Sequence, residues 1–354
     1  MTILAEHFAP APRGNQAFPA AQLLDVTLRD GSFAVGFRWD ESSVYRIVGA
    51  LAKARIPFVE LGYLGGVPDL HHVADAGITA DFPLFLAADL AARFPETNFA
   101  LMVHPGALTR ELDYREIRQA GIALLRFVYH PSWSEKLQQG VASARQAGLS
   151  TTVNVALATR YEPASLLTLC CELGASLEST IYLADTCSSF YPVQVQELMR
   201  TLAAALPVPL GFHSHDFMSL AFANSLAAAS AGATYIDVSL SGIGRGAGNL
   251  AAELWCIAAV AQEVERYDVE ALLAGLDEVR CYTSARQSDV VSLVCGACNL
   301  TPPEEDLLRH TASSEGVNGA VLACRYAMKR ARLPRLSSET LLSLLTGESK
   351  GGIC

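Results

Sequence analysis

From about residue 22 onward, short runs of apolar and β-branched residues alternate with longer stretches of helical period. The short runs lie at 23–27, 58–62, 99–103, 124–129, 151–155, 180–184, 210–213 and 235–238. Their near-continuous apolar character suits strands buried on both faces. Between them the period changes. Val195, Leu198, Met199, Leu202 and Leu206 fall on one helical face, and Val44, Ile47, Val48 and Leu51 repeat the pattern behind Asp40, placed to cap the helix. Eight strands, each followed by a helix, predict an α/β fold, the parallel (β/α)8 TIM barrel. The span 22–275 matches the roughly 250 residues typical of that fold. An open doubly wound sheet would not need eight regular units.

The two ends read differently. Residues 1–21, rich in Ala and Pro, are expected to form a flexible N-terminal arm. After about 276 the strand pattern stops, and helices are expected near 283–298, 315–332 and 338–346, with Pro302-Pro303 and Pro334 as breaks. Residues 276–354 thus predict a C-terminal helical extension, a cap or a dimerisation element, ending in a frayed GESKGGIC.

Composition narrows the function. The 354 residues are 51% hydrophobic and 18% charged, which marks a globular chain able to bury a large core. A net charge of −10 without any Lys/Arg run argues against nucleic acid or an anionic membrane as partner. No apolar run reaches the roughly 18 residues a membrane span needs, and the first residues do not have the pattern of a secretory signal. Nine scattered cysteines suit reduced thiols in the cytoplasm. Cys295-Gly-Ala-Cys298 is a lone pair where a closed zinc site needs four ligands, so it reads as core.

The polar residues that interrupt this pattern gather at strand ends. Arg29-Asp30-Gly31 ends the first run and His213-Ser214-His215 closes the seventh. On a strand, residues i and i+2 share a face, so both imidazoles can converge. One carboxylate and two imidazoles suit a divalent ion with positions open for substrate. Glu60, His104, Asn154 and Asp185 also fall at or just after strand ends, the rim where barrel enzymes carry their sites. Arg29 cannot share the direction of Asp30 in an extended segment, which predicts a turn near Gly31. The glycines at 242, 244, 246 and 248 do not spell a dinucleotide fingerprint and follow the eighth strand, so they suit a loop that presents Asn249 or grips an anion.

DVTLRDG together with GFHSHDFMSLAFANSLAAASAGATYIDVSLSGIGRGAGN resembles the DRE-TIM metallolyases, across the whole barrel. That superfamily includes hydroxymethylglutaryl-CoA lyase, isopropylmalate and homocitrate synthases and the 4-hydroxy-2-oxovalerate aldolases, and the second stretch looks most like the aldolases. The resemblance implies Asp30, His213 and His215 as ligands of a divalent ion, Mn²⁺ foremost and Mg²⁺, Co²⁺ or Zn²⁺ otherwise, with Asn249 as fourth ligand. It implies that Arg29 steadies the enolate of a 2-oxo acid, with Glu60 beside it orienting Arg29 or a water. Asp185 is expected either behind the histidines or as a helix cap.

One position departs from the aldolase pattern. Where those aldolases carry a histidine as base, three residues after the metal Asp, this chain has Phe33, and it lacks the lyase loop cysteine as well. Phe33, Asn154 and Tyr282 are candidate substrate contacts. A base is sought at His104, His130, a tyrosine of the C-terminal cap such as Tyr282, or a metal-bound water, with His71-His72 read as solvated. The expected function is a metal-dependent 2-oxo acid aldolase or lyase with altered substrate. The alternatives are a Claisen-type acyl-CoA synthase and a non-catalytic barrel. A homodimer and a dehydrogenase partner complete the expectation.

Overall fold

Every apolar run identified above is a strand, and the eight pair in chain order into a closed barrel whose first strand also pairs in parallel with its last. The strands are β1 (Gln22–Asp25), β2 (Phe58–Leu64), β3 (Asn98–Val103), β4 (Ile122–Val128), β5 (Ser150–Val155), β6 (Thr180–Asp185), β7 (Leu210–Ser214) and β8 (Tyr235–Val238). Around them run α1 (Glu41–Lys53), α2 (Leu84–Arg93), α3 (Tyr114–Gln119), α4 (Ser134–Gln146), α5 (Pro163–Leu177), α6 (Pro192–Ala205), α7 (Ala221–Ser230) and α8 (Ala252–Val260). The structure is a computed structural model and describes residues 18–67, 77–109, 111–264, 266–282, 289–330 and 336–346. Most of the expected N-terminal arm, His71-His72 and the GESKGGIC tail lie outside the described residues.

Local chemistry sets the boundaries. Asp40 caps α1 by accepting the Ser43 N–H at 2.7 Å, and Val44, Ile47, Val48 and Leu51 are buried beneath it. β1 stops at Asp25, two residues before the expected end. The Asp25 carboxylate takes the Thr27 N–H and hydroxyl, and the Asp30 N–H then closes a turn onto the Val26 carbonyl. Leu206 lies outside α6 as its C-cap. β2 runs on to Leu64 through a register shift between Glu60 and Gly62. Residues three apart on a regular strand face opposite ways; the extra residue lets Glu60 and Tyr63 approach the same side chain, Arg29.

The C-terminal extension corrects the sequence reading. α9 (Val269–Tyr282) runs unbroken through the 275/276 boundary. It is followed by α10 (Val290–Ala297), α11 (Pro302–Ser314), α12 (Gly319–Lys329) and α13 (Ser338–Thr346). Pro302-Pro303, expected to break structure, instead starts α11. Thr301 caps it in a reciprocal box with Glu304, and proline fits the first helical turn because no intrahelical N–H is needed there. Phe217 and Ala247, from the loops after β7 and β8, are buried in the core of this extension with Leu308, Leu322 and Leu341. Cys295 and Cys298 belong to the same core. Burial pushes both thiols up, as suits small hydrophobes rather than ligands.

Candidate metal centre

Asp30, His213 and His215 are buried together, and each offers a ligand atom within 4.8 Å of the others. Asp30 stands in helical backbone at the start of a short 3-10 turn spanning Gly31–Phe33, so the expected turn forms and brings Arg29 and Asp30 into the same space. His213 lies in β7 and His215 one residue past it, held by a backbone bridge to Asn249. Their Nε2 atoms are 3.3 Å apart. The other ring nitrogens face acceptors: His213 Nδ1 lies 3.0 Å from Asp237 Oδ2 and His215 Nδ1 lies 3.2 Å from the Gly248 carbonyl. With Nδ1 carrying the proton on both rings, two Nε2 lone pairs face each other. A cation between them resolves that repulsion. At bonds of about 2.1 Å to one ion, nitrogens at this spacing subtend about 100°.

Asn249 adds a second sign of fit. Its Nδ2 donates to Asp30 Oδ2 at 2.9 Å and to the Ile243 carbonyl at 3.1 Å, while its buried Oδ1 has no partner among the described residues. An unpartnered buried carbonyl beside a carboxylate and two imidazoles completes a donor set whose chemistry fits a divalent cation. Burial alone would raise the Asp30 carboxyl, but Arg29 and then the imidazoles hold it well below the usual range. Burial lowers His215 to about 4, with His213, Arg29 and Arg245 adding to the effect against Asp30. Both side chains therefore favour the deprotonated, ligating form near neutral pH.

Behind the cluster runs a chain of buried charges. Arg29 bonds Asp30 Oδ1 at 2.5 Å and Glu60 Oε2 at 2.7 Å. Arg126, fully buried on β4, donates to the same Glu60 oxygen at 3.0 Å and, on its far side, to Asp237 Oδ2 at 2.7 Å. Its guanidinium also lies 4.4 Å from the centre of the Tyr182 ring. Glu60, Arg126, Tyr182 and Asp237 come from β2, β4, β6 and β8, the alternate strands that build one interior layer of such a barrel. The layer is ionic here rather than aliphatic. It joins Arg29 on one side of the site to His213 on the other.

Sequence reading missed Arg126 and Asp237. The signal was present: a charged residue inside the apolar runs LLRFV and YIDV is buried at a cost unless it is paired. The other expected residues are distributed as follows. Glu60 joins Arg29, as above. Asn154 is buried on β5 and accepts the Thr152 hydroxyl at 2.8 Å. Asp185 accepts the Ser189 and Phe190 N–H groups at 2.8 and 3.3 Å, which makes it a loop cap. Tyr282 bonds Asp40 and Ser43 and packs on Trp39, at the start of α1. His130 is exposed and accepts the Ser132 N–H. His104 accepts the Gly106 N–H at 3.4 Å on the loop after β3. Phe33 is half-buried, 5.1 Å from the Phe37 ring and 6.4 Å from the Tyr63 ring.

The glycine loop after β8 is shaped around this cluster. A Cβ on Gly244 would lie 2.3 Å from Asn249 Nδ2 and 2.8 Å from Asp30 Oδ2. Gly244→Ala is therefore expected to displace Asn249 and weaken divalent-ion binding by about 10- to 100-fold, the range typical when groups supporting a ligand are disturbed. Titration of the variant with Mn²⁺ measures this, and an unchanged affinity would show that Asn249 does not support the ion.

Residues 130–279 match the HMGL-like family. A 4-hydroxy-2-oxovalerate aldolase from Geobacillus genomosp. 3 is 30% identical, over 66% of this chain and 69% of its own length. An oxaloacetate decarboxylase from Mycobacterium tuberculosis is 32% identical over 75% of each chain. Among solved structures, the carboxyl transferase domain of Rhizobium etli pyruvate carboxylase superposes with a TM-score of 0.69 at 18% identity, covering 94% of this chain and 62% of that one. That last likeness is one of fold.

Proposed function

Since this chain belongs to the HMGL-like family, we propose that it is a divalent-metal-dependent carbon–carbon lyase that forms the enolate of a 2-oxo acid. The observation that carries this reading is the convergence of Asp30, His213 and His215 beside Arg29. The ion, for which we propose Mn²⁺ ahead of Mg²⁺, Co²⁺ or Zn²⁺, would supply a Lewis acid for the 2-oxo group. Asp30, His213, His215 and Asn249 would hold it. Asp237 and the Gly248 carbonyl keep the two imidazoles in the ligating tautomer.

Arg29 is the chain's own contribution to charge stabilisation. Burial works against its positive form, but Glu60 and Asp30 hold it charged and fix it between them. A guanidinium set in advance where negative charge develops on oxygen needs no reorganisation during the step. In retro-aldol cleavage the C3–C4 bond breaks, its electron pair enters the enolate, the hydroxyl proton passes to water as the new carbonyl forms, and C3 of the enolate then takes a proton from water to give the 2-oxo acid product. Loss of CO2 from a 3-carboxylated 2-oxo acid yields the same enolate, so the names of both relatives share this half-reaction.

The loaded protein should therefore exchange the methyl protons of pyruvate, or the C3 protons of a larger 2-oxo acid, into D2O, and a chelator should stop the exchange. Arg29→Ala should slow it by roughly 10²- to 10³-fold, the usual cost of losing one oxyanion-stabilising donor. A metal-loaded preparation that exchanges no 2-oxo acid contradicts the lyase reading and favours the non-catalytic barrel.

The rest of the molecule supports narrower proposals. Ser189 Oγ donates to the Gly296 carbonyl at 2.6 Å and Asn299 Nδ2 to the Thr159 carbonyl at 2.8 Å, so residues 289–330 would clamp the loops around the site. Leu254 and Ile257 on α8 and Leu273 on α9 are exposed, which supports a homodimer whose mass sedimentation would read. An aldehyde product would make a dehydrogenase a chemically apt partner. No helix among the described residues is long and apolar enough to cross a membrane. Free thiols suit a reducing compartment such as the cytoplasm.

A further inference from the structure

Arg245 sits on the glycine loop after β8, and its guanidinium carbon lies 4.8 Å from the centre of the Phe33 ring. Its own N–H donates to Asp30 Oδ2 at 3.2 Å, which ties this residue to the metal cluster. Among the described residues its side chain forms no ion pair with a carboxylate. The neighbouring acids engage other groups: Asp30 meets Arg29 and Asn249, Glu60 Oε2 meets Arg29 and Arg126, Asp237 Oδ2 meets Arg126 and His213, and Glu305 Oε1 meets Arg309, while Glu305 Oε2 lies beside Gly246 without a hydrogen-bond partner among the described residues. A half-buried guanidinium that is not paired with an acid, beside a site for small anions, is an anion receptor with its fork open.

The ring beneath it explains the geometry. A guanidinium held over an aromatic ring by its charge spends none of its N–H donors on that contact, so they remain available to a carboxylate. Phe33 is itself held edge-on by Phe37 and Tyr63, so the platform is fixed. Phe33 cannot move a proton, but it can seat the group that reads the substrate. Arg245 adds a third guanidinium beside a cluster in which Arg29 and Arg126 are already shared among Asp30, Glu60 and Asp237.

We propose that Arg245, laid on Phe33, is the specificity residue of this site and binds the second carboxylate of a 2-oxo diacid. This rests on the 2-oxo acid reading above. The ion and Arg29 take the 2-oxo acid end, and Arg245 takes the far end, at a distance from the ion that selects one chain length.

Binding separates the two claims. Calorimetric titration of the Mn²⁺-loaded protein would compare oxaloacetate, 2-oxoglutarate and 2-oxoadipate with 2-oxobutyrate, 2-oxopentanoate and 2-oxohexanoate. One diacid should bind about 10- to 100-fold more tightly than the monoacid of equal length, the range for a charge-assisted hydrogen-bonded contact. Arg245→Gln should erase that ratio, and Arg245→Lys should keep only part of it. Phe33→Leu should reduce the ratio while leaving the charge in place. No diacid preference in the native protein, or a preference that survives Arg245→Gln, overturns the proposal. Deuterium exchange on the same preparations tests the lyase reading independently, since a diacid preference without exchange sinks only that reading.

Discussion

His215→Ala is expected to strip the divalent ion from the protein and bring 2-oxo acid proton exchange down to background. The Nε2 atoms of His213 and His215 stand 3.3 Å apart because each Nδ1 is tied to an acceptor behind it. Removing one ring leaves a carboxylate, one imidazole and an amide oxygen, and opens a void where a ligand stood. Disturbing the groups behind a ligand already costs about 10- to 100-fold in affinity, so loss of the ligand itself should cost more than 100-fold. Elemental analysis of protein purified with Mn²⁺ reads the outcome, and circular dichroism shows that the barrel persists. If His213→Ala/His215→Ala keeps a full equivalent of tightly bound ion, the ion sits elsewhere.

The second large effect is on stability. Arg126→Met should destabilise the fold by about 3–5 kcal/mol, the cost of breaking a buried ion network from one side. Arg126 is fully buried and serves Glu60 and Asp237 together. Its loss leaves two carboxylates in the barrel interior without their shared cation. Burial opposes the charged form of Asp237, and Arg126 is the foremost influence holding its pKa down. Urea melts measure the loss. Arg126→Met with Glu60→Gln and Asp237→Asn should recover most of it, because no uncompensated charge remains buried. The triple variant should still bind the ion poorly, since His213 and Arg29 have lost their charged supports. A single Arg126→Met variant as stable as the parent would show that the network carries no net structural load.

Proline and tyrosine positions show where reading along the chain fails. Pro302-Pro303 carries the same residues whether it ends a helix or begins one; the Thr301–Glu304 box decides, by satisfying N–H groups that the helix leaves free. Tyr282 was a candidate substrate contact because it follows the barrel, and in the folded chain its hydroxyl instead joins Asp40 and Ser43 at the start of α1. Asp185 follows a strand as a site residue would, yet its oxygens are used by the backbone of its own loop. In each case two roles share one local pattern, and only the partner tells them apart.

What the sequence by itself determined are the features set by neighbours a few residues away. Strand and helix periods, the Asp40 cap and the same-side placement of His213 and His215 all depend on repeats of two to four residues, so they are legible in one dimension. Short connections between parallel units then favour a barrel with its polar residues at one rim. Tertiary structure alone decided the contacts that cross the barrel. Arg126 meets Glu60 across 66 positions and Asp237 across 111, and Arg245 finds Phe33 only when the last βα loop closes beside the first. Such pairs carry no shared period, because buried charges select each other by distance and desolvation after the sheet has closed.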